Sequence, residues 1–83
     1  MIAEDVLDYL ARSLVDNPDD VEVEVVGEDD DGAPLLELRV HPDDMGKVIG
    51  KRGRTAKALR SLVKAAASQE DDSASVEIVE HEG

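Results

Sequence analysis

The 83-residue sequence contains no cysteine, no phenylalanine and no tryptophan, and Tyr9 is its one aromatic residue. Without thiols there is no disulfide framework and no thiolate metal site. A near-absence of aromatic rings rules out an RRM-type platform on which bases stack. No apolar run approaches the roughly 20 residues a membrane-spanning helix needs. The opening stretch MIAEDVLDYLARSL carries acids early and has no basic segment ahead of an apolar run, so no signal peptide is expected. A soluble cytoplasmic protein without a membrane association is the expectation. Basic residues are also scarce, at 9 against 21 acidic ones, for a formal net charge of −12.

Low aromatic content with high charge is also a composition of disordered chains. Here, however, the Val, Leu, Ile and Ala residues fall in periodic blocks that a disordered chain has no need of. The length suits one domain, residues 1–83, with one modest aliphatic core.

Ile2, Val6, Leu7, Leu10 and Leu14 recur at helical spacing, and Asn17-Pro18 ends that helix. VEVEVV (21–26) alternates Val21, Val23 and Val25 against Glu22 and Glu24, and LLELRV (35–40) alternates Leu36, Leu38 and Val40 against Glu37 and Arg39. These read as two strands of an antiparallel hairpin across the polar turn GEDDDGAP. HPDD (41–44) reads as a strand exit with Asp43 or Asp44 capping the next helix, of which Met45, Val48 and Ile49 form the apolar face. A longer helix follows Gly53 to about Ser68, with Ala56, Leu59, Leu62, Val63 and Ala66 expected inward. SVEIVE (75–80) is a third strand with Val76 and Ile78 inward, and residues 81–83 are expected to fray. The order α-β-β-α-(GKRG)-α-β makes a two-layer α+β domain, a three-stranded sheet with helices on one face. Glu22, Glu24, Glu37, Arg39, Glu77 and Glu80 are then expected on the wet outer face.

Against the acidic background one segment stands out. From Lys47 to Lys64 there are seven basic residues and no acidic one, while the rest of the chain sets 21 acids against Arg12 and Arg39. At physiological ionic strength the Debye length is about 8 Å, so an anion touching the segment feels mainly the segment. The glycines inside it exclude two phosphate-binding devices. Gly46 and Gly50 are wrongly spaced for a P-loop, Lys51 is followed by Arg52, and a helix precedes the turn rather than a strand. No G-x-G-x-x-G triplet for a dinucleotide occurs. What remains is a G-x-x-G turn between helices, the device by which KH modules clamp a single-stranded nucleic-acid backbone.

VIGKRGRTAKALRSLVKAA resembles the core motif of KH domains, and the element order resembles their type II arrangement. Over essentially its full length the chain is similar to the KhpA family of small bacterial stand-alone KH-domain RNA-binding proteins, through its leading amphipathic helix, the HPDDMGKVIGKRGR block and the short closing strand. The resemblance implies an RNA-binding protein, an RNA chaperone or post-transcriptional regulator. It also implies a homodimer and pairing with a second, larger KH-containing protein.

The residues support that reading on physical grounds. Gly50 and Gly53 let a phosphodiester approach the backbone and let the turn take positive φ. Lys51 and Arg52 project outward to phosphate oxygens, and Lys47, Arg54 and Lys57 extend the patch. Val48 and Ile49 offer an aliphatic floor for bases, and Gly46 serves either RNA approach or close helix packing. The blander alternatives are a solvated basic helix face and a plain helix–helix turn. A second function class keeps the fold but uses the 54–67 helix and its small residues Ala56, Ala58, Ala65, Ala66 and Ala67 for dimerisation. Tyr9 is expected at the core edge and Met45 in packing. His41 and His81 make a poor metal site, and no constellation for hydrolysis is present, so neither a metal, a cofactor nor an enzymatic activity is expected.

Overall fold

The computed structural model describes residues 2–82. Helix α1 (Ile2–Leu14) leads through a 3₁₀ turn at Pro18–Asp20 into strands β1 (Glu22–Glu28) and β2 (Pro34–Val40). A second 3₁₀ turn, Pro42–Asp44, opens the short helix α2 (Met45–Ile49). The turn Lys51–Gly53 then joins α2 to α3 (Arg54–Ser68), and β3 (Ser75–Glu80) closes the chain. The sheet order is β1-β2-β3, with β2 antiparallel to β1 and parallel to β3. The parallel pairing follows from connectivity: the crossover from β2 to β3 carries α2 and α3 and returns the chain in the same direction.

The expected α+β architecture is therefore present, with every element near its expected bounds. Leu36, Leu38 and Val40 of the central strand are fully buried, and Leu7, Val48 and Val63 cover them from the three helices. Which helical side chains point inward differs from expectation. On α1 the buried residues are Ala3, Leu7 and Ala11, whereas Ile2 and Leu14 are exposed. On α3 they are Ala56, Leu59, Val63 and Ala67; Ala66 is half-buried and Leu62 is 50% exposed. Alanine at the helix–helix and helix–sheet contacts lets the backbones come close, so the larger residues beside them are left at the rim. Tyr9, expected at the core edge, is 71% exposed. Met45 packs against the core, as its spacing suggests.

The sheet shows three smaller departures. A bulge between Val25 and Gly27 interrupts β1, and on this edge strand Val25 is exposed even though its partner Leu36 is buried. On the outer face Glu24, Glu37 and Glu77 form one row across the strands, and Val79, opposite Arg39, takes the place expected for Glu80. Glu80 pairs with Val40 instead. Arg39 bonds the Glu37 carboxylate and offsets part of the repulsion in that row. Nor is His81 frayed: its N–H donates to the Val40 carbonyl at 2.7 Å, extending the ladder, while Gly83 lies outside the described residues.

The HPDD segment behaves differently from a simple helix cap. The His41 ring accepts from the Asp43 N–H through Nδ1 at 3.0 Å, and neither aspartate caps α2 with its side chain. Asp44 is instead buried. Its Oδ1 accepts from the Asp16 N–H at 3.2 Å, and its Oδ2 accepts from the Asn17 N–H and Nδ2 at 3.1 Å each. A buried carboxylate is tolerated because these donors replace its lost water. Arg12 secures the same loop, donating to the Pro18 carbonyl at 2.8 Å and the Val21 carbonyl at 3.2 Å. The start of α2 and the end of α1 are thus fastened together, and the glycine turn is carried on that base.

Candidate nucleic-acid interface

Each residue of the GKRG turn has a backbone duty. Gly50, at φ 75° and ψ 172°, lies in a region open essentially to glycine alone. A Cβ there would stand 2.2 Å from Thr55 Oγ1 and 2.9 Å from the Thr55 N. Gly53 is left-handed at φ 73° and ψ 15° and faces open space. Between them Arg52 is also left-handed, at φ 60° and ψ 24°, a conformation uncommon for a residue with a long side chain. The Gly53 N–H donates to the Gly50 carbonyl at 3.1 Å, and the Arg54 N–H to the Lys51 carbonyl. Thr55 has no sequence signature for its part; its contact with the Gly50 backbone appears only once the turn is folded.

The charges divide into two groups. Lys51, Arg52, Arg54 and Lys57 are all exposed, and among the described residues none of their side chains forms a hydrogen bond or ion pair. Of the other three basic residues, two are engaged and Lys64 makes neither a hydrogen bond nor an ion pair among the described residues. Lys47 Nζ lies 3.0 Å from Asp16 Oδ2, and Arg60 Nε donates to the Val76 carbonyl at 3.3 Å. Lys64 sits with Asp29, Asp31 and Asp72 around a surface hollow of about 430 Å³. Asp29 itself is held below the usual carboxylate range by the Ser75 hydroxyl and the Ala33 N–H, with Lys64 adding a smaller attraction.

The free cations sit where helix energetics disfavours them. The N-terminus of α3 bears partial positive charge, and acids in a first turn are normally stabilising. Helix α1 follows that preference, with Glu4 and Asp5 first and Arg12 last. Helix α3 reverses it: its first turn has Arg54 and no acid, and no side chain caps it. Basic side chains and the helix dipole add their positive potential at one place.

Of the apolar candidates, Ile49 is 38% exposed and offers surface beside the turn. Val48 is fully buried and offers none; it anchors α2 in the core. Gly46 is exposed and a Cβ there would meet nothing, so close helix packing does not require it. The turn is brought together with Gly46, Ile49, Arg54 and Lys57 on an open surface, and Val48 and Lys47 are turned to other partners. Among the described residues no cluster of three or more His, Asp or Glu side chains could hold a metal, and no helix is long and apolar enough to cross a membrane.

Comparison with known proteins bears on this arrangement directly. Residues 4–78 match the KhpA/KhpB KH domain family. The chain is 56% identical over 75 residues to the RNA-binding protein KhpA of Halalkalibacterium halodurans, covering 89% of this chain and 95% of that one. It is 54% identical over 76 residues to the RNA-binding protein KhpA of Clostridium perfringens, covering 90% and 97% respectively. A crystal structure of Era from Aquifex aeolicus superposes with a TM-score of 0.64 over 94% of this chain and 29% of that chain. At 14% identity that likeness concerns the fold alone. With a family match over nearly its whole length and the type II order of elements around a glycine turn, the chain belongs to the KhpA/KhpB family of KH domains.

Proposed function

We propose that the chain binds single-stranded RNA through the GKRG turn and the first turn of α3. The observation that carries this reading is the group of four cations with no internal partner, two of them inside the turn and all of them at the positive end of a helix. That placement disfavours the folded chain by itself and favours a bound polyanion. Lys51, Arg52, Arg54 and Lys57 supply the phosphate contacts. Gly50 and Gly53 shape the clamp, Gly46 leaves room above α2, and Ile49 gives bases an aliphatic contact. Both relatives named above are called RNA-binding proteins. We read the protein as a cytoplasmic RNA chaperone or post-transcriptional regulator with no catalytic step.

The test is the double substitution K51D/R52D, measured by fluorescence anisotropy on a labelled single-stranded RNA and on a hairpin of matched length. Binding to the single strand is expected to be lost with the far-UV spectrum unchanged, because both side chains are exposed. The wild type is expected to prefer the single strand, whose splayed bases the surface can reach. Unchanged affinity in the double variant would sink the clamp.

A second reading, compatible with the first, concerns self-association. Helices α1 and α3 pack side by side. Ala56 and Ala67, expected on a dimerisation face, are buried in the core and Ala66 is half-buried, while Ile2, Tyr9 and Leu62 are exposed on these helices together with Ala58 and Ala65. We propose that a second copy covers this exposed surface, and that a larger KH-containing partner uses the same surface. Sedimentation of Leu62→Glu tests it: a dimer at wild-type level in that variant refutes this placement.

A further inference from the structure

By sequence Lys47 is the first member of the basic segment, one helical turn before Lys51. By structure it is set apart. Its ammonium group lies 3.0 Å from Asp16 Oδ2, and Asp16 comes from the end of α1, distant in sequence. Asp16 is no casual surface partner. Its own N–H is fastened to Asp44 Oδ1 at 3.2 Å, the adjoining Asn17 is held by Asp44 Oδ2, and Arg12 closes the loop from behind. Asp44 in turn is the residue that leads into α2, the helix carrying Lys47. The carboxylate and the ammonium are therefore delivered to each other by one hydrogen-bonded base. Asp44 and Asp43 add further attraction, and the Lys47 pKa is raised accordingly, with the Asp16 hydrogen bond and charge the main causes.

We propose that Asp16 is a specificity-determining residue that withholds Lys47 from RNA by standing in for a phosphate, and so ends the RNA footprint at the α2 side of the turn. The inference rests on the RNA-binding reading given above. An exposed ion pair of this kind contributes little to folding stability, so its effect is competitive: a phosphate reaching Lys47 must first displace a tethered carboxylate. It also meets Asp16 and Asp43 as repelling neighbours. The phosphate path is thereby biased toward α3, along Arg54 and Lys57, where no acid intervenes.

The test is a four-member cycle of wild type, D16N, K47Q and D16N/K47Q on one labelled single-stranded oligouridylate, across about 50–300 mM monovalent salt. Asp16→Asn keeps the backbone N–H that Asp44 binds and removes only the charge; Asp16→Ser serves as a second variant should the first lose its native melting transition. K47Q alone is expected to leave affinity nearly unchanged. D16N is expected to bind about two- to fivefold tighter at low salt, the size of one freed surface charge contact. Its slope of log affinity against log salt should steepen by about 0.7, the value of one added single-strand phosphate contact. In D16N/K47Q both gains should vanish. Two outcomes overturn the inference while leaving RNA binding intact. One is a K47Q loss as large as the gain expected for D16N, which makes Lys47 a direct contact in the wild type. The other is a D16N gain that persists in the double variant, which makes the effect one of general charge. Absence of RNA binding in all four proteins would instead overturn the RNA-binding reading, and this inference with it.

Discussion

The substitution Gly50→Ala adds a single methyl group at the most constrained point of the turn. That methyl would stand 2.2 Å from Thr55 Oγ1, 2.7 Å from Thr55 Cβ and 2.9 Å from the Thr55 N. Rotating the hydroxyl away does not relieve the overlap, because the Cβ and the backbone nitrogen are too close as well. The backbone at φ 75° and ψ 172° adds a separate penalty, about 1–3 kcal/mol for a residue with a side chain. Forcing an extra carbon into a packed contact costs about 1–3 kcal/mol more. A domain of 83 residues has a total stability of about 4–12 kcal/mol. The sum is therefore a large fraction of the whole. With about 4–8 °C of midpoint per kcal/mol at this size, the melting temperature should fall by about 10 °C or more. Gly46→Ala is the internal control. It lies four residues earlier in a helix, with nothing within 4 Å of the added carbon. Relieving the helix of a glycine should stabilise by about 0.5–1 kcal/mol, raising the midpoint by a few degrees. Thermal melts followed at 222 nm on the two variants and the wild type decide the matter. A Gly50→Ala midpoint within about 2 °C of wild type would refute the geometry assigned to the turn.

The remaining predictions concern charge and pH. Arg52 is held left-handed at φ 60°, so Arg52→Gly should melt at or above the wild-type temperature while its RNA affinity falls, a divergence read by running melts and anisotropy on the same samples. Burial raises the Asp44 carboxyl pKa, but the Asn17 side chain, the N–H groups of Asp16 and Asn17, and the Lys47 charge outweigh it, so the pKa is lowered overall. A folded-state pKa below the unfolded value means stability that is fully present above about pH 4 and lost as pH falls through the lower folded value. Urea titrations from pH 7 down to 2 should therefore show a loss of stability below about pH 4 that is shallower in Asp44→Asn, which should also be less stable at pH 7. With two to four phosphates contacted by the unpaired cations, the salt slope for a single strand should lie at roughly −1.4 to −2.8. A straight line steeper than about −5 would point instead to two basic helices of a dimer meeting one RNA.

Much of this molecule is written in local pattern. The alternation of Val and Glu in 21–25 and of Leu with Glu37 and Arg39 in 35–40 specifies strands, because a two-residue period is compatible with no other element. The two glycines of GKRG, in a basic segment of an acidic chain, mark the turn by residue type alone. Helical periodicity likewise locates α1 and α3. It does not settle every inward position: large side chains at 2, 14 and 62 suggested one answer, and the approach of two helices to each other and to the sheet chose the alanines at 3, 11 and 67. Glu80 shares the face of Val76 and Ile78, and Val79 the outer one, as the two-residue period along β3 itself requires. The partners of Lys47, Arg60 and Asp44 could not be read locally at all. Lys47 and Lys51 each follow a glycine in the same basic segment, yet a carboxylate 31 residues earlier in the chain engages Lys47. Composition and spacing determine how many charges a segment carries and the period on which they recur. Which of those charges remain free for a ligand depends on through-space contacts at about 3 Å, and those exist only after distant segments have packed.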